Sequence, residues 1–293
     1  MNFTRSNSFD SVYVIESLPD GDLKTGNEIY EMCVYPKGQL KAELHTKFFQ
    51  PKTKQQFLDV LRSIIDECKK NGRGPILHID VHGGSDCIAS ANGEYILWSE
   101  LKPYFCELNI ISRLNLLIVM AACDGINLAK VVLPADRAPV WGFIGPQSEV
   151  QSGKLLEGFK NFYSELFQSW DGRKALNALN NSSDVKKWKF KFINSEFFFL
   201  YVYKTYFETL CTKESVSKRA KSIISKISGG HPISSDEERQ VLDDLTAILF
   251  SSHDFFFDRY KQIFFMIDLF SENINRFNVS FNECLSFLRG NDS

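Results

Sequence analysis

Between residues 53 and 70 the apolar positions Phe57, Val60, Leu61, Ile64 and Ile65 recur at helical spacing behind Thr53, a residue suited to cap a helix. On either side the pattern changes. Short runs at 11–16, 28–35, 75–81, 114–122 and 138–144 are apolar or alternating and predict strands. Pro19-Asp20-Gly21 marks a turn between the first two, and Asn92-Gly93 marks a hairpin. Ser99 is placed to cap a short helix running toward Ser112. A second short helix covers 126–133 before Pro134, and a longer one covers 149–168. The run from Leu116 to Cys123 is apolar on both faces, as a central parallel strand requires. This order predicts an α/β fold: a mostly parallel sheet flanked by helices.

Beyond residue 170 the pattern predicts helices only, at 186–210, 214–227, 236–250 and 254–269. Ser280 and Glu283 form a capping box for a last helix. The stretch 227–235, with Gly229-Gly230 and Pro232, reads as a linker. The expected division is therefore an α/β domain over 1–170 and an all-helical C-terminal region over 171–293, packed on it.

Composition narrows the function classes. The 293 residues are 44% hydrophobic and 24% charged with a net charge of −2, so direct nucleic-acid binding is not expected. No run reaches the ~20 apolar residues of a membrane helix, and the N-terminus has no apolar leader, so a cytoplasmic location is expected. Seven scattered cysteines without a Cys-x-x-Cys pair predict free thiols. Sixteen of the 26 phenylalanines lie in 171–293. The clusters 197–199, 255–257 and 264–265 suit a helical core with a seam against the α/β half, or a groove for a partner.

Two strand ends carry reactive side chains. One runs through His78, Asp80 and His82 into Gly83-Gly84, and the other through Ala121-Ala122 to Cys123-Asp124-Gly125. In parallel sheets chemistry gathers beyond the carboxyl ends of the strands, and glycine there admits a ligand. A cysteine attacks a carbonyl as thiolate, so His82 is the candidate base for Cys123. The helix expected to follow Cys123 would favour the thiolate. The backbone N–H groups of Gly83 and Cys123 are candidate oxyanion donors. Each residue alone also fits a packed histidine or an inert core cysteine.

The same residues are open to two other chemistries. His78, Asp80 and His82 share a strand face and could serve as metal ligands, but positions four apart on a strand are separated by about 13 Å, too far for two imidazoles to meet one zinc. Gly83-Gly84 and Gly125 follow strands as phosphate-binding glycines do, yet neither common nucleotide-binding glycine motif is present. No metal or other cofactor is expected.

The strand ending in His82-Gly83 and, 41 residues on, the strand ending in Ala122-Cys123-Asp124-Gly125 resemble the caspase-like fold of clan CD cysteine peptidases, nearest the bacterial CHAT proteases. Trp98 to Leu101, the Val140-Trp141-Gly142-Phe143-Ile144-Gly145 strand and the helix with Phe159, Phe162 and Tyr163 extend the likeness over residues 10–180. The chain departs from it at Ala121, where some relatives carry an acidic specificity residue, and at 147–152. The resemblance implies a cysteine endopeptidase with a Cys123–His82 dyad acting on a protein partner. It further implies an effector role in antiphage defence, with a gasdermin-like or other defence protein as substrate and room for an activating partner. Its substrate pocket would draw on Asp80, Asp124 and Glu149, with Arg137 the nearest cation. The competing expectation is a caspase-like scaffold without catalysis, in which the Phe-rich helices dock a partner.

Overall fold

The computed structural model describes residues 9–121, 125–146, 152–182, 190–229, 234–251 and 253–288. The chain divides into two compact units, Met1–Val132 with Ala138–Ser195, and Leu133–Arg137 with Glu196–Ser293.

The first unit is built on strands β1 (Ser11–Ser17), β2 (His45–Phe49), β3 (Pro75–Gly83), β6 (Leu117–Ala121), β7 (Gly142–Pro146) and β8 (Phe190–Asn194), in the order β2-β1-β3-β6-β7-β8. Every pair is parallel except β7 with β8. Strands β4 (Cys87–Ala89) and β5 (Tyr95–Leu97) form the hairpin expected at Asn92-Gly93, attached antiparallel to the end of β3. Gly93 occupies the left-handed turn position at φ 85°. The fold is thus α/β with a mostly parallel sheet and helices around it.

Helices α1 (Thr25–Ile29) and α2 (Tyr35–Leu40) join through a π turn at Tyr30–Val34 and follow β1. The sequence pattern predicts a strand here. The buried residues Ile29 and Val34 lie five apart, which suits the wide π turn and breaks the three-to-four spacing by which a helix is recognised. Helix α3 (Lys54–Asn71) lies where expected, with the Thr53 hydroxyl accepting from the Gln56 N–H at 3.2 Å and Gly72 ending it in the left-handed conformation. Helix α4 (Trp98–Ile111) packs beside α3, and α5 (Ser152–Ser169) beside α1 and α6 (Gly172–Asn181). The right-handed crossovers β2-α3-β3 and β3-α4-β6 run one way across the sheet and β1-α1-β2 the other, so α3 and α4 lie on one face and α1 on the other, where α5 packs beside it.

The stretch expected to hold only helices contains a strand, β8, after helix α6. Helix α6 and strand β8 belong to the first unit. Phe192 of β8 sits so closely over Gly142 of β7 that a Cβ there would lie 2.5 Å from its ring.

The second unit comprises α7 (Ser195–Leu210), α8 (Lys213–Ile227), α9 (Ser235–Ser251), α10 (His253–Phe264) and α11 (Phe281–Leu288). Its core is aromatic. Phe199 meets Phe257, Phe264 and Phe265 with ring centroids 5.0–5.3 Å apart, and Phe265 stacks on Phe277 at 4.9 Å. Offset and edge-on ring contacts of this kind add to the burial of the rings themselves. The clustered phenylalanines thus include helical core, although Phe197 and Phe255 remain exposed. The Arg137 guanidinium forks onto the Asp268 carboxylate and also donates to the Ile263 carbonyl at 2.8 Å, tying residues 133–137 to this unit. Ser280 and Glu283 form the expected capping box.

Candidate functional site

Strand order reverses between β1 and β3: the chain leaves β1 toward β2 on one side and returns past it to β3 on the other. Crevices at the carboxyl ends of such strands are where α/β sheets bind ligands. Here those ends are Glu16-Ser17 of β1 and Asp80 to Gly83 of β3, with Glu16 opposite Asp80 and Ser17 opposite Val81. On its other side β3 pairs with β6 as far as Asp80 opposite Ala121.

His82 lies just past that point. The β3 backbone there leaves its parallel neighbours and pairs with β4, His82 opposite Ala89 and Gly83 opposite Ile88. The imidazole keeps 56% of its side-chain surface exposed, and its Nε2 lies 2.6 Å from the Asp22 carboxylate. Asp22 stands in the tight loop after β1, where its own N–H donates to the Pro19 carbonyl at 3.1 Å. A neutral ring that gives its Nε2 proton to Asp22 leaves Nδ1 as the basic nitrogen. The N–H of Gly84 donates to Cys87 at 2.8 Å, so ladder alternation turns the Gly83 N–H away from β4. That orientation suits a donor aimed at a ligand.

Two residues before His82, Asp80 has a different task. Its carboxylate is buried and accepts from the Thr25 hydroxyl and from the Gly26 N–H at 2.7 Å. Beside it, Glu16 is also buried, accepting from the Asn27 N–H and from Gln50, both at 2.9 Å. Helix α1 has no side-chain cap of its own, and these two strand carboxylates satisfy its first N–H groups. Glycine at 26 suits this close approach: a Cβ would lie 3.2 Å from Glu16 Cβ and Oε2 and 3.3 Å from Asp80 Cβ. Burial pushes the Asp80 carboxyl up to about 7; the Thr25 and Gly26 hydrogen bonds oppose the shift and nearby Glu16 adds to it. Asp80, which the sequence places among the residues of a substrate pocket, has its carboxylate buried beneath α1 and bonded to Thr25 and Gly26.

His78, two residues earlier again, is fully buried. Its Nδ1 lies 3.1 Å from the Tyr163 hydroxyl, and Phe159 packs edge-on against it at 4.9 Å. Burial lowers its pKa to about 3, so the ring is neutral. Among the described residues no group of three or more His, Cys, Asp and Glu is placed to hold a metal ion.

Cys123, Asp124 and Glu149 lie outside the described residues. Arg137 is engaged with Asp268 and Ile263 in the second unit. The structure adds Asp22, Glu16 and Thr25 to the residues around the two strand ends. The sequence signal for Asp22 was the Pro19-Asp20-Gly21-Asp22 turn directly after a core strand. No protein-family model matches the chain, and no curated protein matches it. No helix among the described residues is long and apolar enough to cross a membrane.

Proposed function

We propose that the chain is a cysteine endopeptidase in which His82, oriented by Asp22, activates Cys123. The observation that carries this reading is the register of β3 and β6. Asp80 stands opposite Ala121, and each candidate residue follows its strand's member of that pair by two positions in sequence. A solvent-facing imidazole held by a carboxylate at 2.6 Å supports the role of base. So does the resemblance to clan CD peptidases, which also implies that the substrate is another protein and that its cleavage serves antiphage defence.

The steps follow from these groups. The Cys123 thiol gives its proton to His82 Nδ1, and the thiolate adds to the scissile carbonyl carbon. The Asp22 carboxylate stabilises the resulting imidazolium. Gly83 N–H and Cys123 N–H receive the oxyanion, a contribution of roughly 3 kcal/mol per donor in known acyl transfer. Collapse expels the amine, which takes its proton from His82. Water, deprotonated by His82, then releases the acyl group and restores the thiol.

The test uses the purified chain, a peptide library read by mass spectrometry, and iodoacetamide alkylation of Cys123. Cys123→Ala and His82→Ala are expected to abolish cleavage. Asp22→Asn is expected to slow alkylation of Cys123 and to shift its pH profile. Cleavage that survives Cys123→Ala overturns the assignment. Alkylation of Cys123 no faster than that of the other thiols, without cleavage, marks a caspase-like scaffold instead.

A further inference from the structure

In the second unit, α8 and α9 pack against each other as a hairpin. Helix α8 is anchored by one face: Val216, Ala220 and Ile224 are buried four residues apart. Helix α9 is not anchored in this way. None of its residues from Ser235 to Ile248 is buried, although Val241, Leu242, Leu245 and Ile248 follow the spacing of an apolar helix face. Val241 is 41% exposed and Ile248 56%, and on α8 Ile223 is 37% and Ile227 79% exposed. Apolar residues left in water on both helices of a hairpin mark an interaction surface.

The charges indicate what covers it. Helix α8 carries Lys213, Lys218, Arg219, Lys221 and Lys226 against Glu214 alone, five cations to one anion. Helix α9 carries Asp236, Glu237, Glu238, Asp243 and Asp244 against Arg239 alone, five anions to one cation. Among the described residues no ion pair joins the two helices; Lys218 pairs with Glu214 within α8, and Arg219 turns to Tyr206 and the Leu210 carbonyl of α7. The opposite charges are therefore not spent inside the hairpin. A partner of one sign would be repelled by one of the two helices. A second hairpin turned by a twofold axis sets α8 on α9 at both contacts, and their 15 and 17 residues give matching lengths of roughly 23–26 Å.

We propose that the α8–α9 hairpin is a homotypic docking surface, on which two copies of this chain join as a four-helix bundle with Ile223, Ile227, Val241 and Ile248 in its seam. The pairing depends on opposite charges facing across the axis, so it weakens with salt.

Sedimentation equilibrium of the full chain, over about a hundredfold range of concentration, is expected to show a monomer–dimer equilibrium. Ile227→Asp together with Ile248→Asp is expected to weaken it by about tenfold or more. Two charge variants give the decisive comparison. Variant one carries Lys213→Glu, Lys221→Glu and Lys226→Glu, which leaves two cations against four anions on α8, so both of its helices are negative. Variant two carries Glu238→Lys, Asp243→Lys and Asp244→Lys, which leaves four cations against two anions on α9, so both are positive. Each alone is expected to stay monomeric with unchanged helical circular dichroism, and their mixture to restore a heterodimer. A wild-type chain that remains monomeric throughout overturns the proposal. So do charge variants that self-associate like wild type, or folded variants whose mixture does not pair.

Discussion

Asp80→Asn is expected to change how stability depends on pH, because Asp80 titrates in the opposite direction to its neighbour His78. The Asp80 carboxyl is raised from 3.8 to about 7, so between those values the folded chain holds a proton that the unfolded chain has released. Stability contributed by this group is fully present below 3.8 and is lost as pH rises toward 7, at about 1.4 kcal/mol per pH unit. His78 is lowered from 6.5 to about 3, so it is the unfolded chain that binds the extra proton, and stability is lost as pH falls below 6.5. Between pH 5 and 6.5 the two slopes are opposite, each worth on the order of 2 kcal/mol across the interval. In the wild-type chain they largely cancel.

Asparagine keeps a carbonyl oxygen that can accept from Thr25 and Gly26 but cannot ionise. The variant therefore retains the His78 slope alone. Its melting temperature, relative to wild type, is expected to rise by about 4–8 °C from pH 5 to 6.5, at roughly 2–4 °C per kcal/mol for a domain of this size. Differential scanning calorimetry at matched ionic strength measures it. Taking the difference between variant and wild type removes the exposed groups common to both. Parallel curves for the two proteins would show that Asp80 is not held protonated beneath α1.

Gly26→Ala places a methyl group against Glu16 and Asp80 and is expected to destabilise the first unit by about 1–3 kcal/mol, read as a lower urea midpoint. Among the described thiols, burial raises Cys68 to about 11 and Cys284 to about 12, so both are expected to label far more slowly with iodoacetamide at neutral pH than half-exposed Cys87; fast labelling of either in the folded chain contradicts that burial. His78→Ala removes a ring packed between Phe159 and Tyr163 and is expected to cost roughly 2–4 kcal/mol in stability while leaving peptide cleavage measurable, unlike His82→Ala.

Strands β1, β3 and β6 are legible in the sequence because they are buried on both faces: β1 and β6 read as nearly continuous apolar runs, and in β3 Ile76, Leu77, Ile79 and Val81 outweigh the interleaved His78 and Asp80. Strand β2 is not: it is an edge strand, and His45-Thr46-Lys47 dilutes its apolar signal. Strand β8 disappears into the phenylalanine-rich run that continues as α7, because Phe190, Phe192 and Ile193 satisfy a helical count as readily as a strand one. At the candidate site His82 is legible as a polar residue ending a core strand before two glycines. The role of Asp80 is not. A carboxylate at a strand end reads alike whether it faces a substrate or a helix N-terminus. Its discriminating sign lies 55 residues away: Thr25-Gly26 opens a helix with no local cap, so the acceptors must come from elsewhere in the fold.

One strand face thus places three polar side chains in three environments. His78, Asp80 and His82 alternate along β3, each about 6.6 Å beyond the last. The first meets the aromatic residues of α5, which exclude water and hold the ring neutral. The second meets the start of α1, whose N–H groups and Thr25 hydroxyl replace water around a buried carboxyl. The third lies beyond both helices, where water reaches it and, among the described residues, Asp22 is its hydrogen-bond partner. The same imidazole is buried core at position 78 and exposed to water at position 82 because the covering helices leave the end of β3 open. A helix that reached one turn further along β3 would cover His82 as α5 covers His78; the beginning of α1 lies beside Asp80, short of His82. Glu16, Asp80 and Gly26 fix that beginning, and this is why substitutions there are expected to register at His82 without touching it.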